Sequence, residues 1–191
     1  MRPAVVIPIK SFTVAKGRLA DTLTPEQRAE LAQQCAETVV RAAQDLPVFV
    51  VCSDADVAQW ATELGAHVVD CQTPGLDIAV ATGRDAAIAF GATHIIVAHA
   101  DLPLATELGH VARNGKVSLV PDRHRDGTNV LAFPGSVALT TAYGPGSFDN
   151  HIRIAESLGL TVEVIEDESL ALDLDTADDL GELARRQKGA S

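Results

Sequence analysis

Short apolar runs alternate along this chain with longer amphipathic stretches. Val5 to Ile9 is a β-branched run that stops at Lys10, the composition of a buried strand. Val48 to Cys52 and His94 to Ala98 repeat it, and Val68-Val69, Val117 to Val120, Asn129 to Phe133 and Thr161 to Ile165 are further strands by the same reading. Leu170 to Leu174, with leucine at every second position, predicts a last short strand.

The intervening stretches read as helices. Thr24-Pro25-Glu26-Gln27 combines an N-cap, a proline at the first helical position and a capping-box glutamine. Leu31, Cys35, Val39 and Ala42 then follow at helical spacing. Ser53-Asp54 caps a helix from Ala55 to Leu64, closed by Gly65. Leu76 to Phe90 is a third helix, and Phe148 to Leu158 a fourth, stopped by Gly159. Thr176-Ala177-Asp178-Asp179 opens a last helix ending near Gln187.

Strands alternating with helices at this spacing predict an α/β fold, with a mostly parallel central sheet and helices on both faces. No repeat or linker interrupts it, so residues 1–187 read as a single domain and 188–191 as a frayed tail. A chain of 191 residues can bury a core without disulfide or metal staples. No apolar run reaches the ~18 residues of a membrane span, and the start lacks a signal-peptide pattern. Three cysteines, Cys35, Cys52 and Cys71, fit neither a disulfide framework nor a zinc knuckle. The expectation is a cytoplasmic protein.

The net charge of −11 argues against a nucleic-acid partner. Its distribution says more than its total. Residues 1–20 carry Arg2, Lys10, Lys16 and Arg18 and no acid, whereas residues 163–182 carry nine acids and no base. Acidic surface for solubility accounts for most of the second group. The sharper alternative is a basic anion-binding loop at one end and a cation site at the other.

Ligands of open α/β sheets sit outside the carboxyl ends of the strands. The loop after the first strand holds Lys10, Lys16 and Arg18 within nine residues, a set suited to a polyphosphate or to a plain solvated loop. It is neither a Walker A loop nor a Rossmann fingerprint. Asp101 stands just after the strand His94 to Ala98 and before Pro103, either aimed at the crevice or N-capping a helix beyond the proline. Asp173 and Asp175, at i and i+2, share one face, and paired carboxylates repel unless a cation lies between them. With Asp101 they form an all-oxygen set suited to Mg²⁺. Gly127-Thr128 and the small residues Gly144 to Ser147 ahead of a helix make a second phosphate site plausible, against a turn-chemistry alternative of equal weight. The six histidines lack zinc-ligand spacing, and no Gly-x-Ser-x-Gly elbow exists.

In this order Ile7-Pro8-Ile9-Lys10, Ala15-Lys16-Gly17-Arg18-Leu19, Gly75-Leu76-Asp77, Ala100-Asp101-Leu102-Pro103-Leu104, Pro121-Asp122-Arg123, Gly127-Thr128-Asn129, Gly144-Pro145-Gly146-Ser147-Phe148 with His151, and Leu172-Asp173-Leu174-Asp175-Thr176 form a pattern. It resembles the 2-phospho-L-lactate / phosphoenolpyruvate guanylyltransferase family of coenzyme F-420 biosynthesis. The resemblance implies a single-domain nucleotidyltransferase fold of the GT-A type. It also implies transfer of GMP from GTP onto a small phospho-carboxylic acid, with release of pyrophosphate. The acid would be phosphoenolpyruvate, 2-phospho-L-lactate or 3-phosphoglycerate, and a downstream F-420 biosynthetic transferase would be a partner.

By the same resemblance Asp101, Asp173 and Asp175 bind Mg²⁺, and Thr128, Gly144 and Ser147 hold the phospho-acid. Lys10, Lys16, Arg18, Gly75, Leu76 and Asp77 hold the nucleotide, with Lys16, Arg18 and Asp101 bearing on catalysis. The family usually has Asn where this chain has Asp77, which replaces a donor-acceptor amide with an acceptor. Two other classes share parts of the pattern. One is another GT-A nucleotidyltransferase, of molybdenum-cofactor or sugar-nucleotide type. The other is a nucleotide-binding module without catalysis.

Overall fold

A computed structural model describes residues 1–189 of the chain. Seven strands form one sheet: β1 (Pro3–Pro8), β2 (Val48–Cys52), β3 (His67–Asp70), β4 (His94–Ala98), β5 (Val117–Pro121), β6 (Thr128–Pro134) and β7 (Val162–Val164), in the order β3-β2-β1-β4-β6-β5-β7. Strand β1 runs parallel to β2 and β4, β2 to β3, and β5 to β7. Strand β6 runs against both of its neighbours, β4 and β5. The helices are α1 (Pro25–Ala42), α2 (Ala55–Glu63), α3 (Leu76–Ala89), α4 (Ser147–Ser157) and α5 (Ala177–Gly189).

The continuous apolar strands follow from cover on both faces. In β1, Val5 and Ile7 pack with α1 and α2 residues such as Ala36, Val39 and Val57. Ala4 and Val6 face the other way, with Val80 and Ala87 of α3 and Phe148 of α4. The α1 start is the expected capping box: Gln27 N–H donates to Thr24 Oγ1, and Thr24 N–H donates to Gln27 Oε1. Asp54 caps α2 by accepting from the Asp56 and Val57 N–H groups. Helix α3 lies unusually close to the sheet. A Cβ on Gly83 would come within 2.5 Å of Val6 and 2.6 Å of Val51, so only glycine permits this approach.

The predicted strand Leu170 to Leu174 is not one. Its alternation is real, because Leu170, Leu172 and Leu174 are fully buried. Its backbone is held by single bonds instead of a ladder: Leu174 N–H donates to Asp101 O, and Asn129 Nδ2 donates to Leu170 O. Periodicity reports which side chains are buried and says nothing about what the backbone pairs with. The last helix runs to Gly189, so Lys188 and Gly189 belong to its final turn and not to the expected tail. Cations there favour the carboxyl end of a helix, and Arg185 and Arg186 also pair with Glu182. Residues 190–191 of that expected tail lie outside the described residues. No helix among the described residues is long and apolar enough to cross a membrane.

Candidate active site

Strands β2 and β3 lie to one side of β1 and β4 to the other, so the crevice at their carboxyl ends is the switch point of the sheet. A cavity of about 420 Å³ opens there, bordered by Lys10, Lys16, Asp101, Asp122, Asp173 and Asp175. The fold thus gathers residues from the first loop, the end of β4, the β5–β6 loop and the segment before α5.

Lys16 is the pivot. Its backbone is left-handed (φ 58, ψ 35) as it enters a 3-10 turn at Gly17–Leu19, and its side chain is only 5% exposed. Nζ donates to Asp101 Oδ2 at 3.0 Å and lies 3.6 Å from Asp175 Oδ1. Burial alone would lower the Lys16 pKa, but Asp101 and Asp175 outweigh it and hold that pKa above its ordinary value. Arg18 is 77% exposed, with Nη1 3.9 Å from Asp175 Oδ2. Lys10 is exposed at the cavity rim.

The carboxylates carry more charge than Lys16 balances. Burial pushes the Asp173 carboxyl pKa up, and repulsion from Asp101, Asp175 and Asp122 adds to it. Asp101 Oδ1 is buried without a hydrogen-bond partner. Among the described residues no three His, Cys, Asp or Glu side chains close around a single point. The donor set nevertheless fits Mg²⁺, which takes hard oxygen ligands from a few carboxylates and completes its shell with water and phosphate. An orphaned carboxylate oxygen beside a mutually repelled carboxyl is a demand for positive charge.

Asp175 is held in place by a residue that sequence reading placed only in a helix cap. Buried Asp179 accepts from the Asp175 N–H, the Thr176 N–H and the Thr176 hydroxyl through Oδ2, and from Arg123 Nε and Nη2 through Oδ1. Burial opposes its ionisation, yet these donors hold its pKa below the usual carboxylate range. Asn129 was missed as well. It borders the cavity while Nδ2 donates to Leu170 O and lies 3.5 Å from Asp173 Oδ1. A signal existed for it: an amide in an otherwise apolar strand is out of place unless something uses it. Asp122 ties its own loop by accepting from the His124, Asp126 and Gly127 N–H groups.

The acid-rich stretch 163–182 now divides. Glu163 pairs with Arg113 and Lys116, Glu166 with Arg125, Asp167 with His110, Asp178 and Asp179 with Arg123, and Glu182 with Arg185 and Arg186. Asp173 and Asp175 are the two that border the cavity.

A second cavity of about 520 Å³ lies against the ends of β2 and β3, with Gly75 and Leu76 in its wall. Lys10 and Leu76 border both cavities, so the two adjoin. Asp77 borders neither. Its Oδ1 accepts the Tyr143 N–H at 3.1 Å, tying α3 to the loop ahead of α4, a task for which an acceptor-only group suffices.

Thr128, Gly144 and Ser147 come together but border neither cavity. Thr128 and Ser147 are buried, while Gly127 and Asn129 on either side of Thr128 face the cavity. Thr128 N–H donates to Ser147 Oγ and Ser147 N–H donates to Gly144 O, both at 3.0 Å. His151 Nε2 accepts the Ala142 N–H, so Nδ1 carries the proton and donates to Thr128 Oγ1. Both hydroxyls therefore accept within the fold and keep their own hydrogens to give. The α4 N-terminus is partly taken, since Gly146 N–H donates to Asp126 Oδ1 and Phe148 N–H to Asp126 O.

This seven-stranded sheet with one antiparallel strand, which carries the carboxylate- and lysine-lined cleft at its switch point, is a fold that solved nucleotidyltransferase structures share. A crystal structure assigned to a nucleotide-diphospho-sugar transferase from Desulfovibrio desulfuricans G20 shares the fold at TM-score 0.78 and 15% identity, over 100% of this chain and 89% of that one. A nucleotidyl transferase from Methanothermobacter thermautotroptrophicus does so at TM-score 0.68 and 15% identity, over 100% and 99%. The family model described as "Guanylyl transferase CofC like" matches residues 3–190, and this chain belongs to that family. It is 34% identical to the phosphoenolpyruvate guanylyltransferase of Sphaerobacter thermophilus, over 96% of this chain and 93% of the relative. It is 32% identical to the 2-phospho-L-lactate guanylyltransferase of Methanothermobacter thermautotrophicus, over 99% and 87%. The chain is a nucleotidyltransferase enzyme.

Proposed function

We propose that this enzyme transfers GMP from GTP to the phosphate of phosphoenolpyruvate, releasing pyrophosphate, as a step of coenzyme F-420 biosynthesis. The observation that carries the chemistry is the cluster of buried Lys16 with half-buried Asp101 and Asp175 at the switch-point cavity, with Asp173 alongside and Asp101 Oδ1 unpaired. Supporting the acceptor are relatives named phosphoenolpyruvate guanylyltransferase.

The reaction forms a bond between an acceptor phosphate oxygen and the α-phosphorus of GTP and breaks the bond from that phosphorus to the β-phosphate bridge. The attacking oxygen is already anionic at neutral pH, so no side chain has to remove a proton. The need is for neutralisation and alignment of several phosphates in one cleft. Asp101, Asp173 and Asp175 would hold Mg²⁺. That ion, when bound, supplies charge neutralisation at the phosphates. Lys10, exposed at the rim, and exposed Arg18 beside Asp175 would meet the triphosphate, and Lys16 keeps Asp101 and Asp175 from splaying apart. The hydroxyls of Thr128 and Ser147, each with its own hydrogen left to give, would donate to the acceptor's phosphate.

Pyrophosphate release from GTP and Mg²⁺ tests the reading, with phosphoenolpyruvate, 2-phospho-L-lactate and 3-phosphoglycerate supplied in turn. Each assay is run with and without the downstream F-420 biosynthetic transferase to draw off labile product. Turnover with phosphoenolpyruvate well above the other two is expected. Preference for either other acid would move the acceptor, and no turnover with any of the three would overturn the proposal.

A further inference from the structure

The second cavity, 520 Å³ against the ends of β2 and β3, has largely apolar walls (Pro8, Ile9, Val51, Leu76, Ala79) of the kind a flat ring packs against. Gln72 also lines it, the one side chain in that lining with a donor and an acceptor in a single plane. Its amide is oriented by a neighbour. Gln72 Nε2 donates to Asp70 Oδ1 at 2.6 Å, and an ionised carboxylate only accepts, so the NH₂ group must face Asp70. Among the described residues neither the second Nε2 hydrogen nor Oε1 of Gln72 has another partner.

We infer that Gln72 reads the guanine ring of the donor nucleotide in this cavity, and that Asp70 sets the sense in which it reads. This rests on the guanylyl transfer proposed above. Guanine presents an acceptor, O6, beside a donor, N1–H. Adenine presents a donor, the 6-amino group, beside an acceptor, N1. A Gln72 amide with one hydrogen committed to Asp70 offers its other hydrogen to O6 and Oε1 to N1–H, which matches guanine. With the base lying the same way in the cavity, matching adenine would require the amide to flip, placing Oε1 against the Asp70 carboxylate, where two acceptors repel. Asp70 is thus a positioning residue for the base reader. The guanine 2-amino group takes no part, so hypoxanthine satisfies Gln72 equally well.

Calorimetric binding of GTP, ITP and ATP, each with Mg²⁺ and no acceptor, tests the inference on wild type, Gln72→Ala and Asp70→Asn. Both side chains are exposed, and matched thermal melting of the three proteins verifies that the fold is kept. Wild type should bind GTP and ITP far better than ATP. Gln72→Ala should lose roughly 10–100-fold for GTP and ITP alike, the usual discrimination of a two-point base contact, and leave ATP unchanged. Asp70→Asn, which accepts either face of the amide, should narrow the GTP-to-ATP gap by strengthening ATP.

If Gln72→Ala keeps the full preference of wild type, another group reads the base and the inference fails while guanylyl transfer stands. If Gln72→Ala loses GTP but spares ITP, the contact is to the 2-amino group and the assignment is likewise overturned. If wild type itself binds ATP as tightly as GTP, the guanylyl reading falls and takes the inference with it.

Discussion

Lys16 Nζ reaches Asp101 Oδ2 at 3.0 Å across 85 residues of sequence, and this one contact ties the first loop to the end of β4. The left-handed backbone at Lys16 is unfavourable by about 1 kcal/mol for a residue with a Cβ. It persists because it drives the side chain inward, between Asp101 and Asp175, where an outward-pointing loop lysine would have met only water.

Removing that cation should therefore act in two ways. Lys16→Ala leaves Asp101 and Asp175 uncompensated and should lower stability by about 1–3 kcal/mol, below the figure for a fully buried pair because Asp175 remains 43% exposed. Added Mg²⁺ should restore part of the lost melting temperature by occupying the same charge. In the proposed reaction these carboxylates and cations serve the β- and γ-phosphates, so GTP binding should weaken more than GMP binding. Melting curves with and without Mg²⁺, alongside titration of both nucleotides, measure these effects. A Lys16→Ala protein as stable as wild type, and losing GTP and GMP equally, would show the loop to be ordinary surface.

Asp173 offers the opposite trade. Its carboxyl is pushed up by burial and by three neighbouring carboxylates, so its charge is a strain on the folded protein at neutral pH. Asp173→Asn should raise the melting temperature in the absence of metal and abolish Mg²⁺-dependent turnover. A residue kept for stability would behave the other way round. Unchanged turnover in that variant would remove Asp173 from the metal set.

These two residues mark what sequence could and could not disclose. Leu172 and Leu174 alternating with Asp173 and Asp175 was legible because burial alone sets that period, and the three aspartates do border one cavity. The absence of a strand ladder there was not legible, because pairing partners lie more than 40 positions away at Asn129 and Asp101. Asp179 read as part of a helix cap and solvated face. Its link to Arg123 depends on how the β5–β6 loop folds back on α5, which no local pattern encodes. Thr128 lies between Gly127 and Asn129, which border the cavity, and does not border it itself, because a one-residue step along a strand exchanges its faces.

Stability should fall on the acid side of neutrality through two buried histidines. Burial, then the nearby amino terminus, lowers the His94 pKa to about 4, and burial lowers that of His151 to about 4, against the pull of Asp77. Each is neutral in the fold and takes up a proton far more readily when unfolded. Their contribution is complete above pH ~6.5, drains away as pH falls from there towards 4, and is gone below. The full loss is up to about 3 kcal/mol per histidine. Protonation of His151 would also break its Nε2 bond from the Ala142 N–H. Urea midpoints measured from pH 8 to pH 4 should decline over this window, and His94→Gln should flatten the decline. A midpoint constant from pH 7 to pH 5 would contradict the assignment.

Asp179 is the residue whose loss separates positioning from chemistry. Its two oxygens hold Asp175, Thr176 and Arg123 at once, so Asp179→Asn removes a charge and exchanges one acceptor for a donor facing donors. Breaking such a network should cost about 2–4 kcal/mol of stability. Asp175 would still be present but no longer fixed, so the Mg²⁺ concentration for half-maximal turnover should rise while turnover at saturating Mg²⁺ recovers most of its wild-type value. Asp175→Asn should show no such recovery. Mg²⁺ titration of both variants below their melting transitions distinguishes them. If Asp179→Asn stays inactive at every Mg²⁺ concentration while remaining folded, its carboxylate acts on the reacting groups directly and not through Asp175.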